Sequence, residues 1–234
     1  MIDQREPTEA RFQNAPTLGT LLEWIARCLR AAARKLLANS AIHELRRYRM
    51  YGGRERAVYL KIRVLNAVGV MNSRICRPPR TARSFLFVCF GNIIRSPMCE
   101  ALLKRALAGL PSCHITVSSA GLNAVPGRAA HPWATAAAGG FGISLENHRA
   151  RLLTGDMINQ ADAILAMDYD NLAQLLSRYP GAGEKIFMLS AFASQDYLGV
   201  EITDPYYSGE EATRSCYTVL NACIENLVES LCRE

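Results

Sequence analysis

Beyond residue 84 the chain alternates four short, mostly apolar runs with stretches of helical periodicity, and that alternation decides the fold class. The runs lie at 85–88 (FLFV), 114–117 (HITV), 163–167 (AILAM) and 185–189 (KIFML). Helical patterns follow them at 96–108, 131–141, 169–178 and 208–232. Runs this short are strands rather than helices, and strands with so few polar positions must be covered on both sides. A strand returning to its sheet through a helix pairs in parallel. The expected fold is therefore α/β: a four-stranded parallel sheet flanked by helices on both faces. Active sites of such sheets lie at the carboxyl ends of the strands, so the loop after the first run is the first place to look.

Upstream, the segment 76–84 (CRPPRTARS) carries two adjacent prolines and three arginines. Adjacent prolines remove two backbone donors and disfavour a helix before them, so it reads as a linker. This divides the chain into a basic, mostly helical extension with its linker (1–80) and an α/β domain (81–234). Charge supports the division: residues 1–84 carry a net +11 and residues 85–234 a net −5. Within the extension, Leu18, Leu22, Ile25, Leu29 and Leu36 follow helical spacing, with Arg27, Arg30 and Arg34 on a separate stripe, so 17–38 reads as an amphipathic helix. Residues 54–71 suggest a second, less regular one. Such helices either dock on their own domain or, with Trp24 and the arginines, suit an anionic membrane surface. Basic charge alone argues for nucleic acid, which is a poor case.

The first ten residues include Asp3, Glu6 and Glu9, unlike a secretory or transit leader, and no run approaches the roughly 18–20 apolar residues that span a bilayer. A cytoplasmic protein is expected, peripheral to the membrane at most. The eight cysteines form no CxxC pair and are expected as reduced thiols.

The loop after the first strand reads Val88-Cys89-Phe90-Gly91-Asn92-Ile93-Ile94-Arg95-Ser96-Pro97. Cys and Arg six residues apart occur three times (Cys28/Arg34, Cys89/Arg95, Cys99/Arg105). The Cys89 pair alone follows an apolar strand, encloses a Gly-Asn able to take left-handed backbone angles, and ends in Ser-Pro, an expected N-cap and first helical residue. A tight loop closing on a helix start aims backbone N–H groups inward and makes a nest for a tetrahedral oxyanion. Arg95 can clamp two oxygens of that anion, and the same donors favour Cys89 as a thiolate beneath it.

With DPYY at 204–207, SSAG at 118–121, HRAR at 148–151 and AILAMD at 163–168, this loop resembles the low-molecular-weight protein tyrosine phosphatases over residues 84–234. The resemblance implies hydrolysis of phosphotyrosine in proteins through a phosphocysteine intermediate, with no cofactor and no metal. It implies Cys89 as nucleophile, Arg95 as phosphate ligand and transition-state stabiliser, and Asp204 as general acid and then general base. Phe90, Gly91, Asn92, Ile93, Ile94 and Ser96 would form the phosphate-binding loop. Asn92 would hold its shape with Ser119 behind it, and Ser96 would bond the Cys89 sulfur. Tyr206 and Tyr207 would line the mouth, and His148 would support the fold. Taken alone, Asp204-Pro205 is a turn and the tyrosines are surface residues. A bacterial tyrosine kinase would suit as the phosphoprotein partner. Two departures stand out: Ile94 replaces a second loop cysteine found in many relatives, and the first 80 residues have no counterpart. Two other functions use the same elements. A thioredoxin-linked arsenate reductase would need Cys216 and Cys223 to relay oxidation, although their helical spacing of about 10 Å exceeds disulfide reach. A non-catalytic phosphotyrosine-binding protein would have lost Cys, Arg or Asp, and all three are present.

Overall fold

The computed structural model describes residues 52–67, 77–109, 114–194 and 200–232. The expected helix over 17–38 lies outside these residues. The elements are α1 (Gly53–Ala67), β1 (Ser84–Cys89), α2 (Arg95–Ala108), β2 (Thr116–Gly121), α3 (Pro132–Gly139), α4 (Gly155–Gln160), β3 (Ala163–Ala166), α5 (Tyr169–Arg178), β4 (Ile186–Met188) and α6 (Gly209–Cys232).

The four strands form one parallel sheet in the order β2-β1-β3-β4. The expected α/β fold is the one observed. β1 sits inside the sheet because all five residues after Ser84 are apolar and buried. Its side chains alternate between two faces. Phe85, Phe87 and Cys89 enter a core with Met98, Leu102, Tyr217 and Leu220 of α2 and α6, joined by Ala134 and Ala137 of α3. On the other face α5 packs over β3 and β4, and α4 touches β1. The chain leaves β1 for β2 on one side and reaches β3 on the other, so the order reverses at β1, where α/β sheets open a crevice beyond their carboxyl ends.

Three differences from the sequence reading have local causes. β2 runs to Gly121 instead of ending at 117, because backbone pairing to β1 carries Ser118 and Ser119 into the sheet. Polar character at those positions concealed the strand. The short helix α4 was not expected. Its start is capped by Thr154, whose Oγ1 accepts the Met157 N–H at 3.3 Å. The compact unit begins at Gly52, ahead of Pro78-Pro79, because α1 buries Tyr59 and Ile62 and packs on α5.

Candidate active site

The loop between β1 and α2 is held from every side. Asn92 has φ +52°, the left-handed region that asparagine tolerates better than most residues. It is fully buried, and each of its polar groups is occupied. Its Nδ2 donates to Ser96 Oγ (2.9 Å) and Ser119 Oγ (2.8 Å), and its Oδ1 accepts the Arg151 N–H (2.8 Å). Its carbonyl lies 2.7 Å from His148 Nε2, and its own N–H points at Cys89 Sγ (3.3 Å). Ser119 in turn donates to Glu100, which also binds Arg151 and Lys104. His148 has its pKa lowered, chiefly by burial, so at neutral pH it is the uncharged ring that donates to Asn92.

Cys89 is buried at the end of β1, with Ser96 Oγ 3.0 Å from its sulfur. Here the expected capping role of Ser96 is corrected. α2 begins at Arg95 with no side-chain cap, and the Ser96 hydroxyl is taken up by Cys89 and Asn92, with the Ala120 carbonyl 3.4 Å away. The first-turn N–H groups of α2 therefore remain without a capping side chain at the loop. Close approach of β2 completes the frame. A Cβ on Gly121 would lie 2.8 Å from Asn92 N, Gly91 C and Phe90 O, so only glycine lets the loop sit against this strand.

Arg95 is 1% exposed and is met by two carboxylates. Its Nη1 donates to Asp168 Oδ2 (2.6 Å) and to the Ile202 carbonyl (2.9 Å), and its Nη2 donates to Asp204 Oδ2 (2.5 Å). Burial works against its charge, but Asp168, Asp204 and Cys89 outweigh it, so its pKa is raised and it stays cationic. Asp204 reaches this point from the segment before α6, and its other oxygen accepts the Tyr206 N–H (3.1 Å).

The mouth is aromatic. Tyr206 and Tyr207 rings meet edge-on at 4.8 Å, His131 packs edge-on against Tyr206 at 5.4 Å, and Trp133 lies 4.7 Å from His131. Tyr207 is 93% exposed and Phe90 44%. Ile93 and Ile94 point inward and are buried, and Tyr217 OH holds the Ile94 carbonyl at 3.0 Å.

All the residues singled out from the sequence therefore converge on one end of the sheet: Cys89 through Ser96, Ser119, Asp204, Tyr206 and Tyr207. Among the participants not singled out are Asp168, Gly121, His131 and Trp133. Asp168 ends the AILAMD run, where its position at a strand's carboxyl end was the available signal. It also caps α5 through the Asn171 N–H (2.7 Å). Gly121 ends SSAG, and a glycine closing a strand was its only mark. His131 and Trp133 gave no signal at all, because their place at the mouth comes from the start of α3, tied to the loop by His131 N–H to the Ile93 carbonyl (2.9 Å).

Residues 84–234 match the model of the low molecular weight phosphotyrosine protein phosphatases. The chain belongs to this family. It is 36% identical over 146 residues to the low molecular weight protein-tyrosine-phosphatase Wzb of Salmonella typhi, covering 62% of this chain and 92% of that one. The crystal structure of the tyrosine phosphatase AmsI of Erwinia amylovora superposes with a TM-score of 0.59 at 35% identity, over 65% of this chain and 95% of that one. The arginine phosphatase YwlE of Geobacillus stearothermophilus superposes at 0.57 with 34% identity, over 64% and 92%.

Proposed function

We propose that this protein-tyrosine phosphatase removes phosphate from tyrosine side chains of proteins in two displacements at Cys89. The carrying observation is the meeting of Cys89, Arg95 and Asp204, with Asp204 Oδ2 2.5 Å from Arg95 Nη2. Phosphate oxygens would take the first-turn N–H groups of α2 and the fork of Arg95, displacing the Asp204 carboxylate. Freed from Arg95, the carboxylate takes up a proton from solvent and becomes the acid that faces the leaving oxygen. The Cys89 thiolate attacks phosphorus, the bond to the phenolic oxygen breaks, and Asp204 gives its proton to that oxygen. Water then attacks the phosphocysteine, returning a proton to Asp204 and freeing Cys89 and phosphate. Asn92, held by Ser119 and His148, keeps the loop in its strained shape, and Ser96 stabilises the sulfur as it departs. Phe90, Tyr206 and Tyr207, with His131 and Trp133, offer flat faces to a phenyl ring. That aromatic mouth favours an aryl over a guanidino phosphate.

The arsenate-reductase reading loses support in α6. Cys216 and Cys223 sit on one unbroken helix, and burial pushes both thiols up to about 12, far from the thiolate a relay needs.

The basic helix expected at 17–38 is proposed as the attachment to an anionic membrane surface. Among the described residues no helix is long and apolar enough to cross a membrane. Turnover of a phosphotyrosine peptide by the full chain tests the enzymatic reading, with a phosphoarginine peptide and thioredoxin-coupled arsenate reduction as controls. Hydrolysis of the first, lost in Cys89→Ser, is expected. Preference for either control overturns it.

A further inference from the structure

α1 lies ahead of residue 84, where the family match begins, yet it touches both walls of the site through one intermediary each. Near its start, Glu55 Oε1 accepts Arg178 Nε at 3.2 Å. Arg178 passes on to the turn after β2, donating Nη1 to the Leu122 carbonyl (2.8 Å) and Nη2 to Asn123 Oδ1 (3.3 Å). The N–H groups of Leu122 and Asn123 bond the carbonyls of Cys89 (3.0 Å) and Phe90 (2.9 Å). Farther along α1, Arg63 Nη1 donates to Glu201 Oε2 at 2.9 Å, and Asn66 Oδ1 accepts Tyr169 OH at 2.8 Å. The Arg63 guanidinium also lies 5.8 Å from the centre of the Tyr169 ring. Glu201 spends its other oxygen on the Tyr169 N–H at the start of α5 (3.0 Å). It stands beside Ile202, whose carbonyl accepts from Arg95, and three residues before Asp204.

The two contact points on α1 are eight residues apart, about 12 Å along a helix. Glu201 is the joint of the second contact. Burial raises its pKa, with Asp168 and Asp170 adding to the rise, while the Tyr169 N–H and then the facing Arg63 favour its charged form, and Arg63 fixes where that carboxyl points. Among the described residues the acid segment is tied to the body by the Ile202 N–H to the Met167 carbonyl (2.9 Å), by Arg95, by the Tyr169 N–H to Glu201 and by Tyr206 against His131, and the Arg63–Glu201 pair adds the contact from α1.

We propose that α1 is a positioning element of the active site, with Arg63 acting through Glu201 to hold the Asp204 segment and Glu55 acting through Arg178 to brace the turn behind Cys89. This rests on the reading that Asp204 is the proton donor. A helix that merely covers α5 would affect stability alone; one that aims the acid affects turnover according to the leaving group. The test uses the full chain with para-nitrophenyl phosphate, whose good leaving group needs little protonation, and phenyl phosphate, which needs much. Arg63→Ala should lower kcat on phenyl phosphate about three- to fivefold, the scale of a part-exposed ion pair. Para-nitrophenyl phosphate should change less than about 1.5-fold, KM should hold for both, and Arg63→Lys should recover most of the loss. Glu201→Gln, which keeps the Tyr169 bond and drops the charge, serves as the second variant should Arg63→Ala not fold. Asp204→Asn run in parallel separates the two readings. If Asp204→Asn shows the leaving-group dependence and neither ion-pair variant does, the Arg63–Glu201 pair does not position the acid and the proposal falls. If Asp204→Asn shows none, the proton-donor reading falls and this proposal with it.

Discussion

The two walls of the site are built on different plans. The nucleophile wall is local and over-determined: six consecutive residues from Asn92 to Pro97 are buried, and Asn92 alone is held by Ser96, Ser119, His148 and Arg151. The acid wall is carried in from far along the chain and rests on a few bonds, to Met167, Arg95, Tyr169 and Arg63, the last two through Glu201. A rigid cradle suits a step in which sulfur, loop and phosphate must stay in line. On the proposed mechanism, a lightly tethered Asp204 suits a group that would leave Arg95, deliver a proton and later recover it.

The largest expected effect breaks the rigid wall chemically. Cys89→Ser should abolish phosphotyrosine hydrolysis while still binding vanadate through Arg95 and the loop amides, and residual turnover above about one per cent of wild type would remove Cys89 from the nucleophile's place. Next comes the acid wall. Asp204→Asn should lower kcat about 10²–10³-fold on phenyl phosphate and less on para-nitrophenyl phosphate, as for a positioned general acid. Gly121→Ala attacks the rigid wall from behind. Its added carbon would lie 2.8 Å from three backbone atoms of the loop, and displacing the loop by even part of an ångström should cost about tenfold to a hundredfold in kcat. Steady-state kinetics at a substrate concentration well above KM reads it directly.

Smaller effects sharpen the contrast. A chain beginning at residue 52 should match the full chain on both small substrates. One beginning at 81 keeps every proposed catalytic group and should stay within about threefold on para-nitrophenyl phosphate, but should lose about three- to fivefold on phenyl phosphate because α1 is gone. Equal rates for the two truncations on phenyl phosphate would show that α1 contributes nothing. The smallest effect is on stability. Burial holds the pKa of His148 below the ordinary 6.5, so the unfolded chain takes up the proton first. The stabilisation from an uncharged His148 is therefore complete above that value and is lost as pH falls through the lower, folded value. The thermal midpoint should drop on acidification from about pH 7 to about pH 5, and His148→Gln should flatten part of that slope. His131, whose pKa is also lowered by burial, should add to the same slope.

The local pattern of the chain by itself determined the sheet and the nucleophile wall. Apolar runs at 85–88 and 163–167 read as strands of a parallel sheet, and a Cys-to-Arg loop with Gly-Asn inside it, set between a strand and a helix, carries its own geometry in about eight residues. Within that loop Ser96 had two readings in the sequence, a cap by type and a partner of the Cys89 sulfur by resemblance, and the Cys89 sulfur and Asn92 amide within 3.0 Å leave it to the second. What only the tertiary structure decided is everything that depends on long-range approach. Asp168 and Asp204 reach the same guanidinium from different segments, Gly121 is required by a neighbour in space and not in sequence, and His131 and Trp133 join the mouth because α3 starts beside the Ile93 carbonyl. α1 is the clearest case. Its periodicity showed a helix, but its partners Arg178 and Glu201 lie more than a hundred residues away, and a one-dimensional pattern holds no record of which distant charges a folded helix will face.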